Sequence, residues 1–340
     1  MTPELSSLPK VELHVHLEGS ISAETATELS QRHGEDPQSV LPLVEGRYPA
    51  RFATFQEFVD LYLAVTRQVR TPDDLATVAA AFAQQQAAQN VLYTEATFTA
   101  ATLDDFGMDT GAMWAALRDG LSGHGTDVRL LVDAVRNMGP RSGHRTIALV
   151  ETGLEAGAPI VGLGLAGDEN SVPVREFTML REAADRLELG LAVHAGETGP
   201  ASNIREALDQ IGADRIGHGV AAVHDPELLE RLVVEQVVLE VCPSSNVVLQ
   251  VVADLDAHPF PELWRRGANV TINSDDPPFF ATTLTEELAH AVRLADLGIR
   301  DLAELQRRAA RGAFCEDEVR RTLLARIDAW ERDTVGAPPP

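Results

Sequence analysis

Apolar and polar residues alternate near the start of the chain. Val11, Leu13, Val15 and Leu17 are apolar, and Glu12, His14, His16 and Glu18 fall between or beside them. A period of two predicts a short β-strand over 11–17, with alternate side chains on opposite faces. Leu13, Val15 and Leu17 then face apolar packing, and His14 and His16 share the other face. Residues 22–33 have helix-former composition, with Ser22 as the cap. Phe52, Phe55, Phe58, Val59 and Tyr62 recur at helical spacing. They fit a core-facing stripe, or a mobile apolar lid over a pocket. Thr71 as N-cap and Pro72 at the first helical position open a long helix that ends near Asn90. A second strand follows over 91–98.

The alternation of strand and helix continues. Helices are predicted over 110–121, 142–156, 174–187, 203–211, 226–233 and 261–266. Strands are predicted over 128–134, 160–165, 190–194, 215–218, 237–241 and 269–274. A helix over 285–295 and two more close the chain, before a tail at 336–340 that is expected to fray. Eight strands, each followed by helix, imply a parallel sheet with right-handed crossovers. At this length the pattern favours a closed α/β (β/α)8 TIM barrel with extra helices over an open doubly wound sheet. No Gly-rich dinucleotide fingerprint follows the first strand, which weakens the open alternative. With no internal repeat and no Pro-, Gly- or Ser-rich linker, residues 1–335 read as one domain.

Charge and cysteine usage narrow the partners. The 340 residues carry a net charge of −24, which disfavours phosphate backbones and anionic lipid as ligands. Cys242 and Cys315 form no C-x-x-C pair, so neither a disulfide scaffold nor a cysteine zinc knuckle is expected. No apolar run approaches membrane-spanning length and the first residues do not resemble a signal peptide. A cytoplasmic location is expected.

In such a barrel, chemistry sits at the C-terminal ends of the strands. His14 and His16 end the first strand and Gly167-Asp168-Glu169 follows the fourth. His194 ends the fifth with Glu197 just after it, His218 ends the sixth and Asp275-Asp276 follow the eighth. Singly each has a bland reading as a core histidine, a helix cap or a turn; together they fall at one end of one barrel. Three imidazoles (His14, His16, His194) and one carboxylate (Asp275) form a plausible catalytic zinc set with room for a water. Zn²⁺ brings the pKa of a bound water to roughly 7. His218 could orient the activated water or accept its proton, and Glu197 could carry a proton to substrate. Those roles describe metal-assisted hydrolysis.

The chain resembles the adenosine/AMP deaminase family of the metal-dependent amidohydrolases. The resemblance is carried by His14-Val15-His16, Ala166-Gly167-Asp168-Glu169, His194-Ala195-Gly196-Glu197 and Arg215-Ile216-Gly217-His218-Gly219. Val241-Cys242-Pro243-Ser244-Ser245-Asn246 and Ser274-Asp275-Asp276-Pro277 complete it, in the family's order. It implies one Zn²⁺ per chain on His14, His16, His194 and Asp275. Glu197, His218 and Asp275 are then the catalytic candidates, and His16, Glu18, Gly167 and Asp276 the substrate contacts. In that scheme Glu197 protonates purine N1, His218 steers the attacking oxygen, Asp276 meets N7 and the Gly167 N–H meets N3. The implied substrate is a 6-aminopurine nucleoside, adenosine first. Glu18 stands where adenosine deaminases commonly carry Asp against the ribose 5′-hydroxyl, so adenine and 6-amino-6-deoxyfutalosine stay open as alternatives. The sole lysine, Lys10, precedes the first strand, so a carbamylated-lysine two-metal site is unavailable. A non-catalytic purine-binding barrel is the reading from a different class. Oligomeric state is not legible.

Overall fold

The computed structural model describes residues 5–336. Its eight strands are β1 (Lys10–His16), β2 (Val91–Phe98), β3 (Asp127–Val135), β4 (Ile160–Ala166), β5 (Gly190–Ala195), β6 (Arg215–His218), β7 (Val238–Val241) and β8 (Asn269–Ile272). They form one parallel sheet in the order β1 to β8, each strand beside its neighbour in sequence, with helices around it. The expected (β/α)8 TIM barrel with extra helices is the observed architecture.

Local chemistry accounts for the elements. Thr71 and Asp74 form a reciprocal capping box on the helix Pro72–Ala88, with Pro72 in its first turn. Asp225 and Thr283 cap the helices Pro226–Glu235 and Leu284–Ala295, each accepting a backbone N–H. The strands are buried along nearly their whole length, as expected for a parallel sheet covered by helices.

Differences from expectation sit at element ends. Leu17 lies just beyond β1, and β8 stops at Ile272, so Asn273 and Ser274 run on as loop. The predicted helix over 174–187 is a 3-10 turn, Val174–Phe177, followed by the helix Met179–Leu187. Short helices at Pro37–Val40, Ala100–Asp105 and Pro243–Val248 were not predicted, because four to six residues carry too little periodicity. The last helix runs through Gly336, the first residue of the expected tail; the rest of that tail lies outside the described residues.

The seam between β1 and β8 is built differently from the other junctions. There is no continuous ladder, only a bridge between Val15 and Asp275, closed by His16 N–H to Asp275 O at 2.8 Å and Asp275 N–H to His14 O at 3.1 Å. Side chains complete the join. The Leu13 N–H donates to Asn273 Oδ1 at 3.0 Å, and the Ser274 N–H and hydroxyl both donate to buried Glu12, at 2.9 and 2.6 Å. At the start of β1, buried Lys10 donates to the carbonyls of Leu5 and Gln89 at 2.6 Å and of Leu8 at 3.2 Å.

Candidate active site

Four histidines and two aspartates converge at the C-terminal end of the sheet. The rings of His14 and His16 are 5.5 Å apart, on one face of β1 as the alternation predicts. His194 lies 4.6 Å from His14 and 5.5 Å from His16, and His218 lies 4.8 Å from His14. Asp275 Oδ1 is 3.4 Å from His14 Nε2 and 3.3 Å from His16 Nε2. Ligand atoms of His14, His194, His218 and Asp275 lie within 4.8 Å of one another, and those of His16, Asp275 and Asp276 form an overlapping group. All the predicted ligands therefore meet around Asp275.

The donor set fits a cation. His14 Nδ1 is taken by Glu240 Oε2 at 2.8 Å, which turns Nε2 inward, and that buried Nε2 has no hydrogen-bond partner. Burial drives His194 well below the ordinary imidazole range, reinforced by the neighbouring imidazoles, so it presents a neutral nitrogen. Burial opposes protonation of His14, but Asp275 and Glu240 override it and raise its pKa to about 10. Burial likewise disfavours ionised Asp275, yet His14 and His16 hold it below the usual carboxylate range. These His and Asp donor atoms could hold a metal ion.

His218 belongs to a different arrangement. The Phe260 N–H donates to His258 Nδ1 at 3.0 Å, and a backbone amide can only donate. His258 therefore carries its proton on Nε2, which meets Asn246 Oδ1 at 3.1 Å; burial lowers the His258 pKa to about 4 and keeps the ring neutral. The Asn246 amide then points its Nδ2–H at His218 Nδ1, 3.4 Å away. With Nδ1 accepting, neutral His218 carries its hydrogen on Nε2, which faces Glu197 Oε1 at 3.7 Å and Asp275 Oδ2 at 3.9 Å. His218 is thus set up to donate a hydrogen bond rather than to bind the cation or take a proton. His218 and Asp275 both adopt left-handed backbone, with φ of 61° and 63°, costly for residues with a Cβ.

The remaining predicted residues line or border one cavity of about 270 Å³, whose walls include His16, Gly167, His194, Glu197, His218, Asp275 and Asp276. Burial raises the Glu197 pKa to about 8, helped by Asp275 and Glu169, so its carboxyl holds a proton at neutral pH. Burial and then Asp275 push the Asp276 pKa well up. A Cβ on Gly19 would stand 1.6 Å from Asp276 Oδ1, so only glycine leaves that carboxyl its place. Gly167 has a φ of +88°, and a Cβ there would lie 2.6 Å from Asn137 Oδ1. Glu18 is buried beside the chamber; Oε1 accepts the Thr99 N–H at 2.9 Å while Oε2 has no partner. Burial, with Asp133 nearby, raises its pKa to about 7. The helix Phe55–Thr66 packs part of the aromatic stripe against the core and lays part of it over the cavity. Phe58 stacks on Phe280 at 5.5 Å, and Phe55, Phe58, Val59, Tyr62 and Leu63 roof the cavity.

Several supporting residues went unassigned in the sequence. Glu169 accepts N–H groups from Gly196 and Glu197 at 2.8 Å and Gly199 at 2.6 Å, plus the Asn203 amide at 3.0 Å. It builds the loop that carries Glu197. Glu240 bridges His14 to Arg215 (Nε to Oε1, 2.5 Å), and Arg215 pairs with Glu95 at 2.6 Å. The available signal was an acidic residue inside an apolar strand, as in Val238-Leu239-Glu240-Val241, because a buried charge needs a partner.

Comparison with known proteins places this geometry among deaminases. The family profile described as adenosine deaminase matches residues 9–330. An aminodeoxyfutalosine deaminase from Streptomyces avermitilis is 36% identical over 330 residues, covering 96% of this chain and 92% of that one. An adenine deaminase from Sinorhizobium medicae is 35% identical over 328 residues, covering 94% of this chain and 98% of the other. The crystal structure of adenine deaminase from Arthrobacter aurescens superposes with a TM-score of 0.86 at 31% identity, over 97% of this chain and all of that one. Among the described residues, no helix is long and apolar enough to cross a membrane.

Proposed function

This chain belongs to the adenosine deaminase family and is a hydrolytic deaminase of an aminopurine, and on that footing we propose that it acts on a 6-aminopurine nucleoside, adenosine first. One observation carries the reading. Glu197, whose pKa burial raises to about 8, the His218 hydrogen-bond donor and Asp276, whose pKa burial and Asp275 raise, share one chamber with the His/Asp cluster that could hold a metal ion. The cation proposed is one Zn²⁺ per chain, held by His14, His16, His194 and Asp275, because imidazole and carboxylate donors suit that ion. When bound, it supplies the acidity that yields hydroxide from water at neutral pH.

The chain's own residues do the rest. Glu197 gives its proton to ring N1, which offsets the loss of aromaticity as oxygen adds to C6. The His218 Nε2–H faces the oxygen on which charge develops. Asp276, protonated, donates to N7, and the Gly167 N–H donates to N3; both ring nitrogens are acceptors. The C6–O bond forms as Asp275 takes the proton that the attacking water gives up and passes it to the amino group. The C6–N bond then breaks and ammonia leaves, while the C6 hydroxyl proton returns to Glu197 and N1 keeps its hydrogen.

A cavity of this volume is not filled by a purine ring alone, which supports a substrate with a group on N9. A second reading has its own observation: Phe55, Val59, Leu63 and Met138 make an apolar wall suited to a 5′-elongated nucleoside such as aminodeoxyfutalosine. The test is turnover of adenosine, adenine and aminodeoxyfutalosine by zinc-loaded protein. A higher kcat/KM on adenosine than on adenine supports the first reading. Conversion of aminodeoxyfutalosine alone transfers the assignment to the second, and conversion of adenine alone overturns both.

A further inference from the structure

Asp133 has no part in the metal site, the acid or the histidine chain, yet it is a buried carboxylate on the cavity wall, near the end of apolar β3. A buried carboxylate is costly unless it meets donors. Oδ1 accepts the Thr99 hydroxyl at 2.8 Å, the one side-chain donor it meets among the described residues. Thr99 links it to Glu18, whose Oε1 takes the Thr99 N–H and whose buried Oε2 is unpartnered. The hydroxyl-bearing ring of Tyr62 closes over the same carboxylates from the roof.

The position of this group relative to the ring follows from the orientation above, on which the inference rests. With N1 toward the loop after β5, N3 toward the end of β4 and N7 toward the loop after β8, C6 faces the metal site. N9 then points to the remaining arc, which holds Thr99 after β2 and Asp133 on β3. Neither lysine nor arginine lines the chamber. A group arriving there meets the side-chain oxygens of Asp133 and Thr99.

We propose that Asp133, backed by Thr99, is a sugar-hydroxyl subsite that binds a neutral nucleoside through a ribose O–H and turns away a 5′-phosphorylated one. A ribose hydroxyl can donate to Asp133 alongside the Thr99 hydroxyl, whereas a phosphate brings only acceptors and negative charge.

The test compares wild type with Asp133→Asn and Asp133→Ala, zinc-loaded, on adenosine, its 2′-, 3′- and 5′-deoxy analogues and AMP. Inosine binding by calorimetry and thermal melting are read alongside. Wild type is expected to process AMP at under about 1% of its adenosine kcat/KM, because like charge and an unpaired phosphate both count against it. Asp133→Ala is expected to lower kcat/KM on adenosine by about tenfold to a hundredfold, mostly through KM, and to weaken inosine binding in parallel. One deoxy analogue should lose nothing further on substitution, and that analogue identifies the hydroxyl. Asparagine, which keeps an acceptor oxygen, should restore part of the loss. Equal losses on every analogue, or AMP within tenfold of adenosine, overturn the subsite. If adenosine is converted equally well by wild type and both variants, the subsite fails while deamination stands. Failure of wild type to convert any aminopurine removes the functional reading and the subsite with it.

Discussion

Replacing Glu169 by glutamine changes one atom of a side chain that touches no substrate, and the geometry indicates how far the effect reaches. Oε1 accepts from Glu197 and Gly199, and Oε2 from Gly196 and Asn203. A glutamine keeps one acceptor oxygen and turns an NH₂ toward the other pair of donors. Hydrogen bonds to a charged group contribute about 1.5–3 kcal/mol each. Asn203 can turn away, so the net loss is about 2–4 kcal/mol, borne by the loop that carries the acid. If that loss appears as misplacement of Glu197, it corresponds to a kcat lower by about 30-fold to 1000-fold. There is also an electrostatic component. Burial raises the Glu197 pKa to about 8, and the Glu169 charge contributes to that rise. Glu197 works protonated, so wild-type activity should fall as pH rises through about 8. In Glu169→Gln the fall should begin at lower pH. The assay is kcat against pH with metal content and melting temperature measured on the same samples. A kcat within twofold of wild type, or an unshifted alkaline limb, would refute the positioning argument.

Other expectations test neighbouring parts of the structure. Glu197→Gln should keep a full complement of metal and lose at least about a hundredfold in kcat, since only the proton donor is removed; near wild-type turnover would remove Glu197 as the acid. Asp276→Ala should weaken inosine binding far more than metal binding, and stoichiometric loss of zinc would mean that the two aspartates are assigned the wrong way round. Lys10→Met should leave the chemistry alone but lower unfolding free energy by about 2–4 kcal/mol, because the carbonyls of Leu5, Leu8 and Gln89 lose a charged donor. Urea denaturation with and without zinc would show whether that loss is confined to stability.

The barrel was readable because strand and helix alternate with the right periods, and because each buried strand is bounded by turn chemistry. The metal cluster was readable because its residues are short motifs at strand ends. His14 and His16 needed only a period of two to be placed side by side. What the sequence concealed was the layer behind them. Glu240 and Arg215 come from the adjacent strands β7 and β6 but Glu95 from distant β2, and the sheet brings the three together. The direction of the His218 hydrogen bond depends on the Phe260 amide two elements away, which no spacing rule reaches. Asp133 stood in plain view inside an apolar run, but its partner Thr99 lies on a neighbouring strand's loop.

The side-chain seam has a consequence for how the molecule comes into being. Glu12 and Ser274 are 262 positions apart, so during synthesis the histidine pair emerges long before Asp275 and waits without its carboxylate. A bound cation would span the first and last staves and act as a clasp where the backbone ladder is thinnest. Metal uptake in a newly made chain would then report completion of the ring, and withdrawal of the ion by a chelator would loosen that one joint before any other.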